Sequence, residues 1–573
     1  MLLADVVVDT AVWALDRALT YAVPAALAPA IRLGWVVRVP LRGRRIRGWV
    51  VRVHEGDAPE GTVELAALSG RGPVLDAGLV EMARAMADRT VHPLASYLKL
   101  FTPPRLGRPL RSRGEPATPV SPPPSAGGTD RAALVRLGAT EDPVARYAAL
   151  VRSALDGGSA AIVVAPEVRE GSRVLEGLAE RFPGDAAVVH SGLDPAERSA
   201  ALWSVAAGKR RLVLGGRAAV FAPPVGAVPL GVVVVHAEHD RSLKEQRAPY
   251  YDARDAALER ARATGACLVL ASATPSLRSL AEAERGGWER SVPDRPAERA
   301  VWPAVELLEP PRTGMPRRAV AAIIEARRRG GRTLVLLPRA QATRAGPGPE
   351  QVARFIERVV PGARVTRADR PGLGPQAGAL AAALDADVVV ATEAALAEVE
   401  RPRISTAIAL GVDALLLRPA GRAVEEAFAA LWTLGSLVAG RPEVAGAGDG
   451  RAARGRLLLE TATPDHHVVQ ALTRGDYHYF AARELAARRE TGSPPFRRLV
   501  RVTSPAPPDA DLMAALGALP GTVVLGPVPT GGSMGGMEVR LKVEELEAVV
   551  APLRRLVSTS RQRLLVEVDA RDW

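Results

Sequence analysis

Two long stretches of the chain alternate short apolar runs with helical segments, and this pattern limits the possible folds more than any other feature. Within residues 130–281, apolar runs such as AAIVVA and LGVVVVH predict buried strands. Residues 318–463 repeat the alternation, with runs such as RTLVLL. Continuous apolar strands separated by helices form parallel sheets that are covered on both faces. The sequence therefore predicts two successive parallel-sheet lobes.

Smaller modules flank the two predicted lobes. The first 55 residues favour short strands with a basic turn between two of them, and residues 495–573 indicate a small α/β unit. A segment rich in Pro, Gly, Ser and Arg predicts a linker after the first module. The predicted boundaries are 1–105 for the N-terminal module, 106–129 for the linker, 130–290 and 300–490 for the lobes, and 491–573 for the C-terminal domain.

The composition bears on partners and on the cellular compartment. The net charge is +12, which favours a polyanionic partner, usually a nucleic acid. Only four of the 75 basic residues are lysine, and part of the arginine excess suits a GC-rich genome. The single cysteine excludes a disulfide framework and a cysteine-based zinc site. With neither a basic leader segment nor a long apolar run, we expect a bacterial cytoplasmic protein that associates with the nucleoid and has no membrane partner.

Several motifs, in a fixed order, resemble those of a known family. The segment from His190 to Leu277, which includes HAEHDRSLKEQRAPYYDARD and SATPS, is similar nearly position by position to the first helicase lobe of the replication-restart PriA family, within superfamily 2 of the DNA helicases. DRALTYAVP, GWVVRVPLRGRRIRGWVV and HPLASYLKLFTPP resemble that family's N-terminal module, which binds the 3′ end of the leading strand. SPPFRRLVRV and VLGPVP resemble its C-terminal domain. The resemblance implies an α/β fold with a small β-rich DNA-binding module, two RecA-like lobes and a small α/β C-terminal domain.

The resemblance breaks down where the family binds ATP. A phosphate-binding loop needs glycine-rich backbone N–H groups, a lysine, and a Ser or Thr that holds magnesium. The corresponding stretch, LGATEDPVARY at 137–147, has no Gly-Lys-Thr. Elsewhere only Lys209 follows a glycine, and Arg210 comes next where a hydroxyl is required. The sequence therefore predicts that the nucleotide-binding loop has been lost.

Two further ATPase motifs are altered. Where the family has Asp-Glu-Glu-His, this chain has His236, Ala237, Glu238 and His239, so the metal-binding carboxylate and the catalytic base are both replaced. The family's Gly-Arg-Ala-Gly-Arg becomes AGRPEVAG, which keeps Arg441 but loses the second arginine. We interpret these five residues as degenerate motif positions and predict no catalytic residue. A metal site on the two histidines and Glu238 is disfavoured, because neighbours along a strand point to opposite faces.

The zinc-binding insert of the family is also absent from the sequence. LVLLPRAQATRA runs directly into GPGPEQVARFIERVV, which resembles the sequence that follows the insert. The family's winged-helix segment is reduced to the Pro-rich linker. We therefore expect neither ATP nor zinc as a cofactor.

Two clusters and one tyrosine are the candidates for DNA contact. Six arginines lie within fifteen residues that contain no acid, and such a cluster can neutralise phosphates, although a solvated basic turn is the alternative. Residues 243–255 resemble the family's aromatic-rich loop that senses single-stranded DNA, with a half-buried helix start as the alternative. Tyr21 stands where the family's Phe-Asp-Tyr pattern ends and could stack on a terminal base. The candidates are Tyr21, Arg38, Arg42, Arg44, Arg45, Arg47, Arg52, Lys244, Gln246, Tyr250, Tyr251 and Arg254.

Together these observations favour a PriA-like protein that binds stalled or abandoned forks and promotes primosome assembly without an ATPase of its own, in DNA replication, repair and recombination. The expected partners are forked or 3′-ended DNA, replication-restart and helicase-loading proteins, and single-stranded DNA-binding protein. Two alternatives stay open. One is an ATP-dependent 3′-to-5′ helicase with an unconventional nucleotide site, and the other is a general basic nucleic-acid binder, including of RNA, without fork preference.

Overall fold

The computed structural model describes residues 1–107, 131–166, 172–338, 348–368, 386–396, 404–440, 455–530 and 536–570. Most of the predicted linker, and Arg441, lie outside these residues. Within them, no helix is long and apolar enough to cross a membrane.

The N-terminal module is an antiparallel sheet with two helices. Its elements are β1 (Leu2–Val8), β2 (Ala18–Ala22), β3 (Val36–Leu41), β4 (Arg44–Glu55), β5 (Ala67–Ser69), α1 (Ala77–Thr90) and α2 (Leu94–Leu98). The strand order is β2-β1-β4-β3-β5. Because side chains alternate along a strand, Val37 and Val39 fill one core of the module, while Val36 and Trp49 share a second core with α1.

The first lobe is a seven-stranded sheet in which every pair of neighbours is parallel. Its elements are β6 (Ala132–Arg136), α3 (Pro143–Asp156), β7 (Ala160–Val164), α4 (Arg173–Arg181), β8 (Ala186–Val189), α5 (Pro195–Ala206), β9 (Leu212–Gly215), β10 (Leu230–His236), α6 (Ala253–Thr264), β11 (Cys267–Ser272), α7 (Leu277–Arg285) and β12 (Glu289–Ser291). The strand order is β12-β6-β11-β10-β7-β9-β8. The central valines of β10 are fully buried, which explains the uninterrupted apolar run.

The second lobe is a six-stranded parallel sheet of order β13-β18-β17-β14-β16-β15. Its elements are α8 (Arg295–Val301), β13 (Ala304–Leu308), α9 (Arg317–Arg328), β14 (Arg332–Leu337), α10 (Pro349–Val359), β15 (Val365–Ala368), β16 (Val388–Thr392), α11 (Glu393–Leu396), β17 (Ile404–Ala409), α12 (Val412–Leu416), α13 (Ala423–Val438), β18 (Arg456–Glu460), α14 (His467–Arg474) and α15 (Tyr477–Glu490).

The C-terminal domain is a four-stranded antiparallel sheet with two helices. Its elements are β19 (Arg498–Ser504), α16 (Ala510–Gly517), β20 (Thr522–Pro529), β21 (Met537–Val543), α17 (Leu546–Thr559) and β22 (Leu565–Val568). The strand order is β20-β21-β19-β22. Val500 and Leu541 share a core with the helices, whereas Arg501, Thr503 and Arg540 lie on the other face and are half-buried.

The structure confirms the predicted fold class, with two parallel-sheet lobes between smaller antiparallel modules. Four strands, β5, β6, β12 and β13, were not predicted, and β5 is only three residues long. Glutamates in β12 and β13 interrupt the apolar pattern, and β6 directly follows the Pro-rich segment and ends in an arginine. Their strand character comes from pairing with neighbours distant in sequence, as β6 does between β11 and β12.

Candidate nucleic-acid interface and nucleotide cleft

The basic segment forms a tight hairpin between β3 and β4. Its two-residue turn is Arg42–Gly43, with φ of 48° and 77°. Two successive positive φ values are typical of a type I′ turn, whose twist matches that of the paired strands. Arg42, Arg44 and Arg45 at this turn are all exposed. The hairpin therefore presents three cations to solvent at one tip.

Two further arginines of the hairpin lie side by side. The strand register pairs Arg38 directly with Arg47, and like charges in that position repel each other. Arg47 is partly compensated by Asp9, 3.1 Å from its Nε, whereas Arg38 is exposed. Arg52, farther along β4, is also exposed. Repulsion among exposed cations disfavours the free hairpin and is relieved when a polyanion binds.

The structure corrects the prediction for Tyr21. Its ring is only 3% exposed and belongs to the core of the N-terminal sheet. The hydroxyl lies 3.4 Å from the carbonyl oxygen of Pro40. A ring packed inside the sheet is not available to stack on a terminal base, so Tyr21 is a core residue.

Three residues of the aromatic-rich segment are buried, which corrects their assignment as DNA contacts. Lys244 donates from Nζ to the carbonyl oxygen of Val568 at 2.6 Å and so connects the first lobe to the C-terminal domain. Tyr251 is 2% exposed and packs edge-on against Phe221, with ring centroids 4.9 Å apart. Arg254 is 8% exposed and engaged by buried partners. This loop joins domains rather than offering these side chains to a ligand.

Gln246 and Tyr250 are the two accessible candidates of this segment. Gln246 is exposed, and Tyr250 is half-buried with its ring edge against His92. Tyr250 also lines a cavity of about 240 Å³ between the first lobe and the C-terminal sheet, together with Arg501 and Glu567. Within this segment, DNA contact stays a prediction for Gln246 and Tyr250.

Carboxylates occupy the loop where the family binds phosphate. The loop runs from β6 to α3, and Glu141 accepts hydrogen bonds from the Gly138 N–H at 3.0 Å and from Arg146 at 2.9 Å. Asp142 caps α3 by accepting from the Val144 N–H. A helix N-terminus attracts an anion through such N–H groups. Here the protein's own carboxylates already occupy part of that position.

A buried tyrosine–histidine pair connects α3 to the end of β10. The Tyr147 hydroxyl lies 2.8 Å from Nδ1 of His236, and the two rings meet edge to face. Burial lowers the pKa of His236 to about 4, so the imidazole is neutral at pH 7. A neutral imidazole that is already hydrogen-bonded does not replace a magnesium-binding carboxylate.

The next two motif positions offer no accessible base. Ala237 has no functional group, and Glu238 is 1% exposed. Glu238 accepts hydrogen bonds from the hydroxyls of Ser276 and Ser279, at 2.9 and 2.7 Å, and from the Ser276 N–H at the start of α7. Its role is therefore to anchor the SATPS loop and α7. Within the described residues, no group of three or more acidic, His or Cys side chains is placed to hold a metal ion.

His239 keeps a connection between two motifs. Its Nδ1 lies 2.7 Å from the Ser272 hydroxyl, and burial lowers its pKa. From the second lobe, Arg422 donates to the carbonyl oxygen of His239 at 3.4 Å. Arg441 lies outside the described residues.

Sequence reasoning missed the residues that join the two lobes. Glu425 of α13 accepts from the Leu277 N–H of the first lobe at 3.2 Å and, within its own lobe, from Arg488 at 3.0 Å. Burial alone would raise the pKa of Glu425, but Arg422 and Arg488 lower it to about 2. The available signal was a pair of charges in the otherwise apolar helix AVEEAFAALWTLGSLV.

A buried arginine makes a second connection between the lobes. Arg136, at the end of β6, is 2% exposed and forms a bidentate ion pair with Glu298 of α8. Its guanidinium lies 5.9 Å from the ring of Trp432 and 5.4 Å from that of Tyr477, both in the second lobe. The Tyr477 hydroxyl also donates to the carbonyl oxygen of Pro275 in the first lobe. The lobes thus meet through a buried, hydrogen-bonded interface.

The N-terminal module resembles a known DNA-binding domain. A family model described as the PriA 3′ DNA-binding domain (3′BD) matches residues 5–103, which include the basic hairpin. The chain is PriA-like in sequence. The replication restart protein PriA of Bacillus subtilis is 25% identical over 425 residues, which cover 62% of this PriA-like chain and 51% of the relative. The chain therefore spans about half the length of that relative.

Another relative matches the PriA-like chain over nearly its whole length. The probable replication restart protein PriA of Mycobacterium tuberculosis is 28% identical, covering 97% of this chain and 98% of the relative. Among solved structures, RecG bound to a three-way DNA junction matches with a TM-score of 0.40 and 14% identity, over 62% of this chain and 44% of RecG.

Proposed function

We propose that this PriA-like chain binds forked or 3′-ended DNA and serves in replication restart as a platform that does not hydrolyse ATP. Its protein partners are then the replication-restart and helicase-loading proteins, with single-stranded DNA-binding protein as a further candidate. The match of residues 5–103 to a 3′ DNA-binding domain and the relatives named as replication restart proteins support the DNA part. The occupied cleft between β6 and β10 supports the absence of ATP turnover, and this observation carries the proposal.

The cleft opposes a nucleotide in two ways. Glu141 and Asp142 place negative charge at the N-terminus of α3, where phosphate oxygens would have to lie, and like charges repel. The hydrogen bond between Tyr147 and His236 joins α3 to β10 inside the cleft. Opening it would leave a buried polar group unsatisfied, at about 1–3 kcal/mol. Among the described residues, no group of three metal ligands lies there to repay these costs.

The interface between the lobes also supports the absence of ATP turnover. ATP-driven motors open and close their lobes around the nucleotide. In this chain Arg136 of the first lobe forms a buried ion pair with Glu298 of α8 at the interface, and separating such a pair costs about 3–5 kcal/mol. A closed interface that needs no nucleotide suits a rigid support for the DNA-binding module.

The basic hairpin is the DNA contact in this proposal. Its exposed arginines can each neutralise a phosphate and release a counterion, so binding should weaken steeply with salt. The exposed cations at the tip and the repulsion between Arg38 and Arg47 support this role.

Nucleotide binding and turnover by the full chain test the ATP part. Fluorescence of a labelled ATP analogue with magnesium, and phosphate release with and without forked DNA, should both show no response up to about 1 mM nucleotide, the upper range of enzyme KM values. Fork binding should be intact in the same preparation. Phosphate release that co-purifies with the chain and disappears in His236→Ala would contradict the proposal and favour the helicase alternative. Glu238 is unsuitable as this control, because it anchors the SATPS loop.

Competition binding tests the DNA part. A labelled fork with a 3′ end should bind the wild-type chain and bind Arg38→Gln/Arg45→Gln markedly more weakly. Arg354→Gln is the matched control, since Arg354 on α10 is 76% exposed and far from the hairpin in sequence. Unlabelled linear duplex and RNA should compete less well than the fork. Equal competition by linear duplex would remove fork recognition from the proposal and leave a general nucleic-acid binder.

A further inference from the structure

Exposed apolar side chains concentrate on one strand of the C-terminal domain. Of the nine large hydrophobic residues that are exposed in the described part of the chain, three lie on β20: Val523, Leu525 and Val528, each more than 40% exposed. The register pairs them with Lys542, Arg540 and Glu538 of β21. Those partners are alternate residues of one strand, so all three apolar side chains share one face of the sheet.

This face is open, and its charges are uneven. β20 is an edge strand, and the helices α16 and α17 cover the opposite face. Glu567 pairs with Arg501, and Glu538 pairs with Arg540, so both carboxylates are neutralised and buried. Lys542, opposite Val523, forms no ion pair with any described residue. The face therefore combines an apolar strip with a net positive border.

We propose that the face formed by β20 and β21 docks an extended acidic segment of a partner protein. Apolar side chains of that segment would cover Val523, Leu525 and Val528, and its carboxylates would pair with Lys542 and Arg540. The inference rests on the platform proposal only for the biological role of the partner. Exposed apolar strips rimmed by polar residues mark protein interaction sites, and charge complementarity selects the partner.

A nucleic acid fits this face less well. Sequence-tolerant binding of single strands relies on stacking of bases on aromatic rings. The four strands, RLVRVTS, TVVLGPVP, MEVRLKV and LVEV, contain no aromatic residue. Among the described residues that line the cavity at the far end of this face, Tyr250 is the aromatic one, beside Arg501. Valine and leucine side chains instead bury favourably against apolar side chains of a protein.

A second copy of this chain is also disfavoured. Pro527 and Pro529 lack the N–H that edge-to-edge strand pairing needs, and the register shift between Leu525 and Val528 bends the edge. A two-fold pairing of this surface would set two patches of net positive charge against each other.

The test uses the full chain and a defined peptide. The probe is a fluorescein-labelled peptide of alternating aspartate and leucine, eight residues long like β20. Fluorescence anisotropy should show binding to the wild-type chain, and Leu525→Glu and Lys542→Glu should each weaken it at least about tenfold, or 1.4 kcal/mol. Val292→Glu is the matched control, because Val292 is 53% exposed in another part of the chain, and it should bind within about twofold of wild type. Backbone hydrogen exchange of residues 522–529 should slow when the peptide is present at a saturating concentration.

Four outcomes would overturn the proposal. In the first, the wild-type chain would fail to bind the peptide; in the second, Leu525→Glu would bind it as well as wild type does. In the third, oligo-dT would displace the peptide and would bind Lys542→Glu more weakly than wild type, which would assign the face to nucleic acid. In the fourth, the wild-type chain would self-associate in sedimentation while Leu525→Glu stays monomeric, which would assign the face to a second copy. Fork binding measured on the same variants keeps this test separate from the platform proposal, since the hairpin remains unaltered in all of them.

Discussion

Replacing Glu425 by glutamine should destabilise the second lobe, next to its interface with the first lobe, far more than the same change at the adjacent glutamate. Glu425 is 7% exposed and receives the Leu277 N–H together with Arg488 and Arg422. Glutamine keeps an acceptor for the N–H but removes the charge that balances the two arginines. Glu426, by contrast, is paired only loosely with Arg241, at 3.8 Å, and both side chains are partly exposed.

The expected magnitude follows from the pKa of the carboxyl group. Its pKa is about 2 in the folded chain against an ordinary 4.5, and a difference of about 2.5 units corresponds to about 3 kcal/mol. Because the folded-state pKa is lowered, this stability is fully present above pH 4.5 and is lost as the pH falls toward 2. Glu425→Gln should therefore cost about 3 kcal/mol at pH 7 and less at pH 3. Glu426→Gln should cost at most about 1 kcal/mol, as an exposed pair does.

Urea unfolding followed by tryptophan fluorescence measures the effect. Trp302 and Trp432 stack with ring centroids 4.2 Å apart in the core next to the interface, so their emission reports on it. A chain with several domains need not unfold in two states, so the midpoint of this local transition is the quantity to compare. Equal midpoints for Glu425→Gln and Glu426→Gln at pH 7 would refute the argument that the ion pairs of buried Glu425 stabilise the second lobe at the interface. A difference that does not shrink at pH 3 would refute the charge explanation.

Three further predictions concern the hairpin and the cleft. Glutamine at Arg38, Arg44 and Arg45 together should reduce the slope of log K against log salt for duplex DNA by about 2.7, at about 0.9 per lost phosphate contact, measured by anisotropy. Tyr147→Phe should cost about 1–3 kcal/mol in urea unfolding, because buried His236 loses its partner, without gain of ATP binding. The free energy of unfolding should fall as the pH drops from 6.5 toward 4. Burial lowers the pKa of His92 and of His236 to about 4, so these histidines become protonated in the unfolded chain at a higher pH than in the folded chain. Urea midpoints at pH 7 and pH 5 check this.

The fold was largely predictable because its signals are local. Each central strand of the lobes carries its own apolar run, as β10 and β14 do, and each run is followed by a helical segment. The strands that escaped prediction depend on partners. β6 becomes a buried strand only between β11 and β12, and its terminal Arg136 is tolerated inside because Glu298 and two aromatic rings of the second lobe surround it.

The candidate site was predicted in part. The exposed arginines at the hairpin turn are accessible because a tight turn has only the flanking strands to pack against. Lys244, Tyr251 and Arg254 looked similar in sequence, with cations and rings suited to DNA, yet they are buried by Val568, Phe221 and the SATPS loop. Residue type gives the chemistry that a side chain could perform, but not whether another domain covers it.

The sequence by itself determined which chemical groups the chain possesses: a row of arginines in an acid-free hairpin, no Gly-Lys-Thr loop, and His236 and Ala237 where a carboxylate and a base are needed. These statements follow from residue identity and local periodicity. Only the tertiary structure decided which groups meet. Burial and hydrogen bonding depend on elements hundreds of residues apart, as when Leu277 meets Glu425 or Lys244 meets Val568, and no local pattern encodes such distant partners.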